Sequence, residues 1–460
     1  MLAALVVSLR GELAQAQAAL SDALAELERA GERIAELEAR LAQSPLGRSL
    51  WKKSGRKPGG QQGHDGSTLA QAGRPDKGVR HELACCGRCG AGLAGRRITG
   101  VERRQVFDVP PVKVEVTEHQ LIERECACGR RTKAAAPAGA EAPAQYGPRV
   151  AAVIIYLYIG RFLSKKRTAL ALAELFGIRL SSGTVAAITG RAASGLDGFT
   201  ERVRDEIAAS DVAGFDETGF RVEGKLAWVH CARTGKYTLL MVHPRRGSKA
   251  MEAMGVLPSF AGVAVHAAWA PYDHYASADH QLCCAHVLRE LQAVTDLAPQ
   301  GRWCWATQAA EAITAMQRLV SGAISRGLAA TDPAAFSVQV TRYRSAALIG
   351  ARQARQGKLT SKHRALARRL LGRQDDYLRF TTDFQIPADN NGSERDIRMA
   401  KLKQKVSGCL RTMTGAGQFC VIRSYLSTAA KHGLAFFDAL VLLTEGRRCP
   451  LLAEHRPWAA

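Results

Sequence analysis

The pattern of apolar positions changes character several times along the chain. Leu13, Leu20, Leu27, Ile34 and Leu41 recur every seven residues, with Leu24 in another seam position. An apolar heptad on a proline-free stretch predicts a coiled-coil helix over residues 1–44 that pairs with a second copy. Gln17, Gly31 and Glu38 weaken that seam, and a helix packed on its own protein would carry the same stripe. From 45 to 80 the pattern disappears. Glycine and cations dominate, with eight basic and two acidic residues. Such a stretch cannot bury a core and reads as a basic linker or arm. Alternation returns between Gln105 and Ile122, which predicts a strand inside a small module over 81–135. After an Ala/Pro stretch, residues 136–207 read as helices. Residues 150–160 (VAAVIIYLYIG) make a buried helix, too short to span a bilayer.

Between 208 and 282 the period shifts to two. Three strands are expected at 211–220, 225–234 and 236–246, with turns at Glu223–Gly224 and Gly235. A short helix at 248–256 and a fourth apolar strand at 261–269 follow. Helices resume over 283–385, and a capped basic helix opens the last segment, 386–460. Three strands, a helix, a fourth strand and later helices follow the order of an α/β ribonuclease-H-like core. The fold class predicted is therefore multidomain and mostly α. Its α/β core is interrupted by a helical insertion and preceded by the coiled coil and a small zinc-binding module.

Charge sharpens this picture. Lys and Arg outnumber Asp and Glu by 64 to 42, a net +22, which calls for a polyanion, first of all nucleic acid. The excess is clustered. Residues 341–380 hold eleven basic and two acidic residues, and Lys52, Lys53, Arg56 and Lys57 crowd the arm, where they can follow a phosphate backbone. Residues 169–189 read as helix, glycine turn and Ser-capped helix, which suits either a DNA-reading pair or two helices that only pack.

The cysteines suggest a metal. With no secretory signal the chain is expected in the cytoplasm, where thiols stay reduced. Cys86-x-x-Cys89 and Cys126-x-Cys128 each precede a glycine. Closely spaced thiolates on short turns suit a structural Zn²⁺. Cys85 is a rival ligand.

Two carboxylates stand out. Asp216 sits in the first core strand, with Glu217 turned to the opposite face by strand alternation. Glu394 sits in the first turn of the late basic helix, where Asn390 or Asn391 can cap. Arg395, Arg398, Lys401, Lys403 and Lys405 follow as candidate phosphate ligands.

These motifs together resemble the DDE transposases of the insertion-sequence 66 family. The resemblance rests on GRKPGGQQGH, CGRCG and CACG, the DET strand, VHAAWAPY, CCAHVLREL, DNNGSERDIRMAKLKQKVSG and RSYLSTAAKHG. It implies cleavage and strand transfer of element ends by two Mg²⁺ ions held on three acids. The first acid would be Asp216 and the third Glu394. The second should follow His266, where this chain has Ala267. A methyl group ligates no metal, so catalysis is expected to be impaired. The sequence leaves open whether that change is engineered or natural. Asp273 and Asp279 follow, poorly registered as substitutes. Cys283 and His286 occupy a Cys-x-x-His signature, with Arg289 a turn on, for zinc, phosphate positioning or folding. The partners implied are double-stranded DNA (terminal inverted repeats and target), a second copy or higher oligomer, and small companion proteins of the same element. The expected setting is the bacterial nucleoid, with no membrane. The other reading is a catalytically dead end-binding protein or repressor.

Overall fold

The computed structural model describes residues 68–110, 112–299, 301–352 and 357–447. The heptad segment and the arm cations Lys52, Lys53, Arg56 and Lys57 lie outside them. The chain forms two compact units, one ending at Val109 and one starting at Pro110.

In the first unit the CCGRCG run closes a tight loop. Cys85 bridges Gly92, the Cys86 N–H donates to Ala91 O at 2.8 Å, and Gly90 (φ +72°) returns its N–H to Cys86 O at 2.9 Å. The second unit opens with a hairpin of β1 (Glu123–Glu125) and β2 (Arg131–Lys133), whose turn holds Cys126 and Cys128. The strand expected over Gln105–Ile122 does not form at its described residues. Val112, Val114 and Val116 alternate, yet all three are exposed. A strand needs a ladder partner to bury one face, and none pairs with this stretch among the described residues.

Helices α1 (Pro148–Ile155), α2 (Lys165–Phe176), α3 (Ser182–Ser194) and α4 (Asp197–Ala208) follow, with a π turn at Tyr156–Gly160. Local chemistry sets their ends. Pro148 starts α1, the Ser164 and Ser181 hydroxyls accept the N–H groups of Arg167 and Thr184, and Gly177 (φ +68°) stops α2. The helix pair expected near 169–189 is therefore present as α2 and α3. Its buried residues Leu172, Val185 and Ile188 belong to the same core as the sheet.

The five-stranded sheet has the order β5-β4-β3-β6-β7. β3 (Val212–Val222), β4 (Lys225–Arg233) and β5 (Thr238–His243) form an antiparallel meander. Its first turn puts both Glu223 (φ +54°) and Gly224 (φ +76°) in the left-handed region, the hairpin geometry that matches strand twist. After α5 (Ser248–Met254), β6 (Val263–His266) adds parallel to β3, and β7 (Asp279–Leu282) parallel to β6. No local pattern announces β7, whose DHQL carries no apolar alternation.

α6 (Cys284–Thr295), α7 (Trp305–Ser325), α8 (Pro333–Arg352), α9 (Gly357–Gly372) and the short α10 (Gln374–Leu378) build a second core around Trp305, Tyr343, Tyr377 and Phe380. α11 (Asn391–Ser407), α12 (Met413–Lys431) and α13 (Phe436–Thr444) return to the first core. The basic stretch 341–380 is less of a surface than its composition suggests. Arg342, Arg369, Arg373 and Arg379 pair internally with Glu311, Glu290, Asp273 and Asp279. Arg344, Arg352, Lys362 and Arg368 remain exposed. No helix among the described residues is long and apolar enough to cross a membrane.

Candidate active site

The parallel register sets the first two positions. Gly214 stands opposite Val265, and the same register carried two residues on puts Asp216 level with Ala267, just past the end of β6. Alternation then puts Asp216 on the face of β3 that Gly214 presents to α11. Glu217 turns to the other face. There its Oε1 accepts two bonds from Arg246, at 3.0 and 2.7 Å, and its Oε2 accepts from Tyr272 Oη at 2.7 Å. Arg246 lies between the rings of Trp228 and Trp269, at 4.8 and 4.0 Å.

α11 is docked on that strand by groups the sequence did not reveal. A Cβ on Gly214 would lie 2.5 Å from Ser393 Oγ and 2.8 Å from Asn390 Oδ1, so only glycine admits the helix. Asn390 occupies the N-cap position, but its side chain does not cap. Its Nδ2 donates to Phe215 O at 2.6 Å and its Oδ1 accepts from Ser393 Oγ at 2.6 Å. Asp389 accepts the Asn391 N–H instead, at 2.9 Å. Further along, Asp396 pairs with Arg233 at 3.1 Å and Lys431 at 3.0 Å, and accepts from Thr238 Oγ1 at 2.9 Å. Lys431 also donates to the carbonyls of Thr234 and Tyr237. The C-terminal RSYLSTAAKHG motif thereby clamps α11 to the β4–β5 corner.

Glu394 thus starts its helix beside Asp216. Its Oε1 lies 3.1 Å from Arg289 Nη2 and 3.6 Å from His286 Nε2. Burial, reinforced by Arg289, lowers the His286 pKa, so Arg289 carries the balancing charge at neutral pH. Cys283 is buried, and its sulfur accepts the Asn390 N–H at 3.1 Å, while the Cys284 N–H donates to Ala388 O. Both residues of the Cys-x-x-His signature thus touch the start of the Glu394 helix. Among the described residues no three His, Cys, Asp or Glu side chains are grouped to hold a metal. Asp216 is pushed up to about 7, first by burial, then by Glu217 and Glu394.

Ala267 supplies only a methyl and a carbonyl, which accepts the Trp269 N–H at 2.7 Å. Its neighbour His266 is buried, stacks on Tyr272 and meets His280 Nδ1 at 3.0 Å, and burial brings its pKa down to about 4. Asp273 and Asp279 are turned away to Arg373 and Arg379, so neither replaces the acid. Along α11, Arg395, Arg398, Lys401 and Lys405 are exposed, and Lys401 also donates to Gly219 O. Lys403 departs from expectation. It is only 2% exposed, because the helical period turns it inward with Ile397 and Ala400.

Residues 143–418 match the family described as Transposase IS66 family, and residues 84–129 match the zinc-finger binding domain of transposase IS66. The chain belongs to the IS66 transposase family. No curated protein matches it. Membership of the IS66 family accounts for the zinc-type loops and implies DNA as partner. The zinc-finger match spans both cysteine pairs. Within each pair the backbone aims donors at the first sulfur. The N–H groups of Cys89 and Arg88 lower the Cys86 pKa, and that of Cys128 lowers Cys126, which favours the thiolates that zinc needs.

Proposed function

We propose that this IS66 transposase works on element ends through a DDE centre at Asp216, position 267 and Glu394, and that Ala267 disables that centre. The observation that carries the reading is the register of β3 and β6. It sets Asp216 level with residue 267 while α11 brings Glu394 to the same strand. The sheet order, with three antiparallel strands and two parallel ones, supports a ribonuclease-H-like core interrupted by the α6–α10 insertion.

An acid whose proton affinity is raised by burial and by neighbouring carboxylates, as that of Asp216 is by Glu217 and Glu394, suits a divalent cation beside it. Asp216 and Glu394 fit one Mg²⁺. They do not fit the two-ion arrangement, because position 267 offers no side-chain oxygen, and no step through a second ion follows. When bound, Mg²⁺ would polarise a scissile phosphate. The protein's part is to hold that phosphate and its strand. Arg395, Arg398, Lys401 and Lys405 form an exposed cationic track that starts one residue after Glu394. The zinc-finger loops and the arm at Lys52, Lys53, Arg56 and Lys57 add contacts to the terminal repeats, and the heptad segment pairs two chains so that two ends meet. A structural Zn²⁺ on Cys86, Cys89, Cys126 and Cys128 completes the reading, in a nucleoid setting.

The test is cleavage and strand transfer on an end-containing duplex with Mg²⁺, comparing the chain as it stands with Ala267→Asp. Reaction by the Asp form alone is the expected result. Reaction by both forms would remove position 267 from the centre. If neither reacts while both bind ends tightly, the protein is an end-binding protein or needs its companion proteins.

A further inference from the structure

The face of β3 opposite Asp216 carries a construction that the three acids do not use. Glu217, Trp228, Arg246 and Trp269 meet there. Trp228 stands across from Gly219 on the β3–β4 ladder. Trp269 follows Ala267 by two residues, with its N–H tied to the Ala267 carbonyl. The Arg246 guanidinium lies 4.8 Å from the Trp228 ring and 4.0 Å from that of Trp269. Its Nε and Nη2 both donate to Glu217 Oε1, and Tyr272 Oη donates to the other oxygen of that carboxylate. The turn that carries Arg246 is fixed as well. The Arg245 N–H donates to His243 Nδ1 at 3.0 Å, and the Arg245 carbonyl accepts from His230 Nε2 at 3.3 Å.

An ordinary surface ion pair needs none of this. The Glu217 side chain is only 5% exposed, whereas that of Arg246 is 42% exposed. Two indoles and a buried carboxylate restrict the rotation of a planar group. Glu217 takes the edge formed by Nε and Nη2. The terminal fork remains, one N–H each from Nη1 and Nη2, and among the described residues no acceptor meets Nη1. Glu217 also balances the charge of Arg246, so the pair gains little from neutralising a phosphate. What it offers is direction: two parallel donors in a fixed plane. In duplex DNA the neutral partner for such a fork is guanine, whose O6 and N7 stand side by side in the major groove.

We propose that Arg246 is a base-reading residue whose terminal fork binds O6 and N7 of a guanine close to the scissile phosphate. The proposal rests on the DNA-processing reading above and deepens it, because it names a base that the centre selects. Proximity to the cut follows from the chain itself. Glu217 is the next residue after Asp216, Trp269 is two beyond position 267, and Arg246 is among the charges that act on Asp216. Glu217, Trp228 and Trp269 are positioning residues in this arrangement. The α11 track supplies charge along the backbone, and Arg246 supplies sequence.

The test uses the full chain and a pool of 30-bp duplexes with a randomised centre. Bound duplexes are sequenced, and affinity for a selected duplex is measured across a salt series. The parent should enrich guanine at one position. Exchanging that G·C pair for A·T should weaken binding roughly 5- to 100-fold, and 7-deazaguanine, which lacks the N7 acceptor, should weaken it too. Glu217→Gln combined with Arg246→Gln replaces a neutral pair by a neutral pair. It should erase the preference at that position and the sensitivity to 7-deazaguanine, while other positions and the salt slope stay as in the parent. Trp269→Ala keeps both charges and should reduce the same preference. A guanine preference that survives both variants overturns the proposal, as does a pool with no guanine enriched. If the double variant instead lowers the slope of log K against log salt by about one and leaves every base preference intact, Arg246 binds a phosphate and the base assignment fails. Arg395→Gln with Arg398→Gln separates the two readings. If that pair weakens binding across the whole pool and no preference depends on Arg246, the DNA track stands and the base reader alone fails. If the chain binds no duplex at all, both fail.

Discussion

Asp216 makes the stability of this protein fall as pH rises, and Asp216→Asn should remove that fall. The carboxyl goes from an ordinary 3.8 up to about 7 in the folded chain, chiefly by burial, with Glu217 and Glu394 adding repulsion. Between those two values the folded state holds a proton that the unfolded state has released. Stability therefore drops with pH across that window, by about 1.4 kcal/mol per unit, and levels off above pH 7. Three units would give a ceiling of about 4 kcal/mol. Asn has nearly the same shape, and its Oδ1 can still accept the Glu217 N–H that Asp216 accepts at 2.9 Å. The variant should gain on its parent by roughly 2–3 kcal/mol between pH 5 and pH 8. At roughly 2 °C per kcal/mol for a unit of this size, the melting curves should separate by several degrees. The assay is thermal or urea unfolding of both chains at pH 5, 6, 7 and 8 without divalent metal. Curves that stay parallel across that range would refute the burial-and-repulsion account, as would a variant less stable at pH 8.

Gly214→Ala should destabilise by about 2–3 kcal/mol, since its methyl meets Ser393 Oγ at 2.5 Å; adding Ser393→Gly should recover part of the loss in urea unfolding, and full additivity would show that the two sites do not touch. Lys431→Met should cost about 3–5 kcal/mol, because among the described residues it leaves Arg233 as the one cation within ion-pair distance of Asp396 in a nearly buried site. The double variant with Asp396→Leu should cost less than the sum of the two single variants, and full additivity would show that the pair is not coupled. Purified chain should carry one zinc by elemental analysis and lose it in Cys86→Ser; zinc retained in that variant would exclude Cys86 as a ligand.

Much of the core was legible because period and punctuation agreed. The β3–β4–β5 meander, its Glu223–Gly224 turn, α5 and β6 fall where alternation and turn residues put them. Two errors have a common cause. Alternation over Gln105–Ile122 promised a strand that has no partner among the described residues, and β7 exists with no alternation at all. Sheet membership is decided by neighbours in space, which a local period does not contain. β7 forms because β6 offers an open parallel edge and because Gln281 binds the next layer, accepting from the Phe380 N–H at 2.8 Å and donating to Tyr377 O. Composition misled in the same way. The cations of 341–380 look alike in sequence, yet four of them are committed to acids that only tertiary packing brings near.

The site itself was half legible for a different reason. Asp216 and Glu394 could be picked out because acids at a strand and at a cationic helix are chemically conspicuous. Ser393, Asp396 and Lys431 could not, and Asn390 and Cys283 stood out only as a cap and a Cys-x-x-His signature, since each of the five makes an ordinary hydrogen bond or ion pair whose importance lies in which two elements it joins. Those five residues bear on how Ala267 should be understood. They fix the distance between α11 and β3 without using position 267, so losing that one carboxylate leaves the frame intact. Nor can a neighbour fill the gap. Glu217 is committed to Arg246 and Tyr272, Asp273 to Arg373 and Asp279 to Arg379, and freeing any of them would break an ion pair. The frame therefore accounts both for a chain that folds with Ala267 and for the expectation that only a carboxylate at that position restores the second acid.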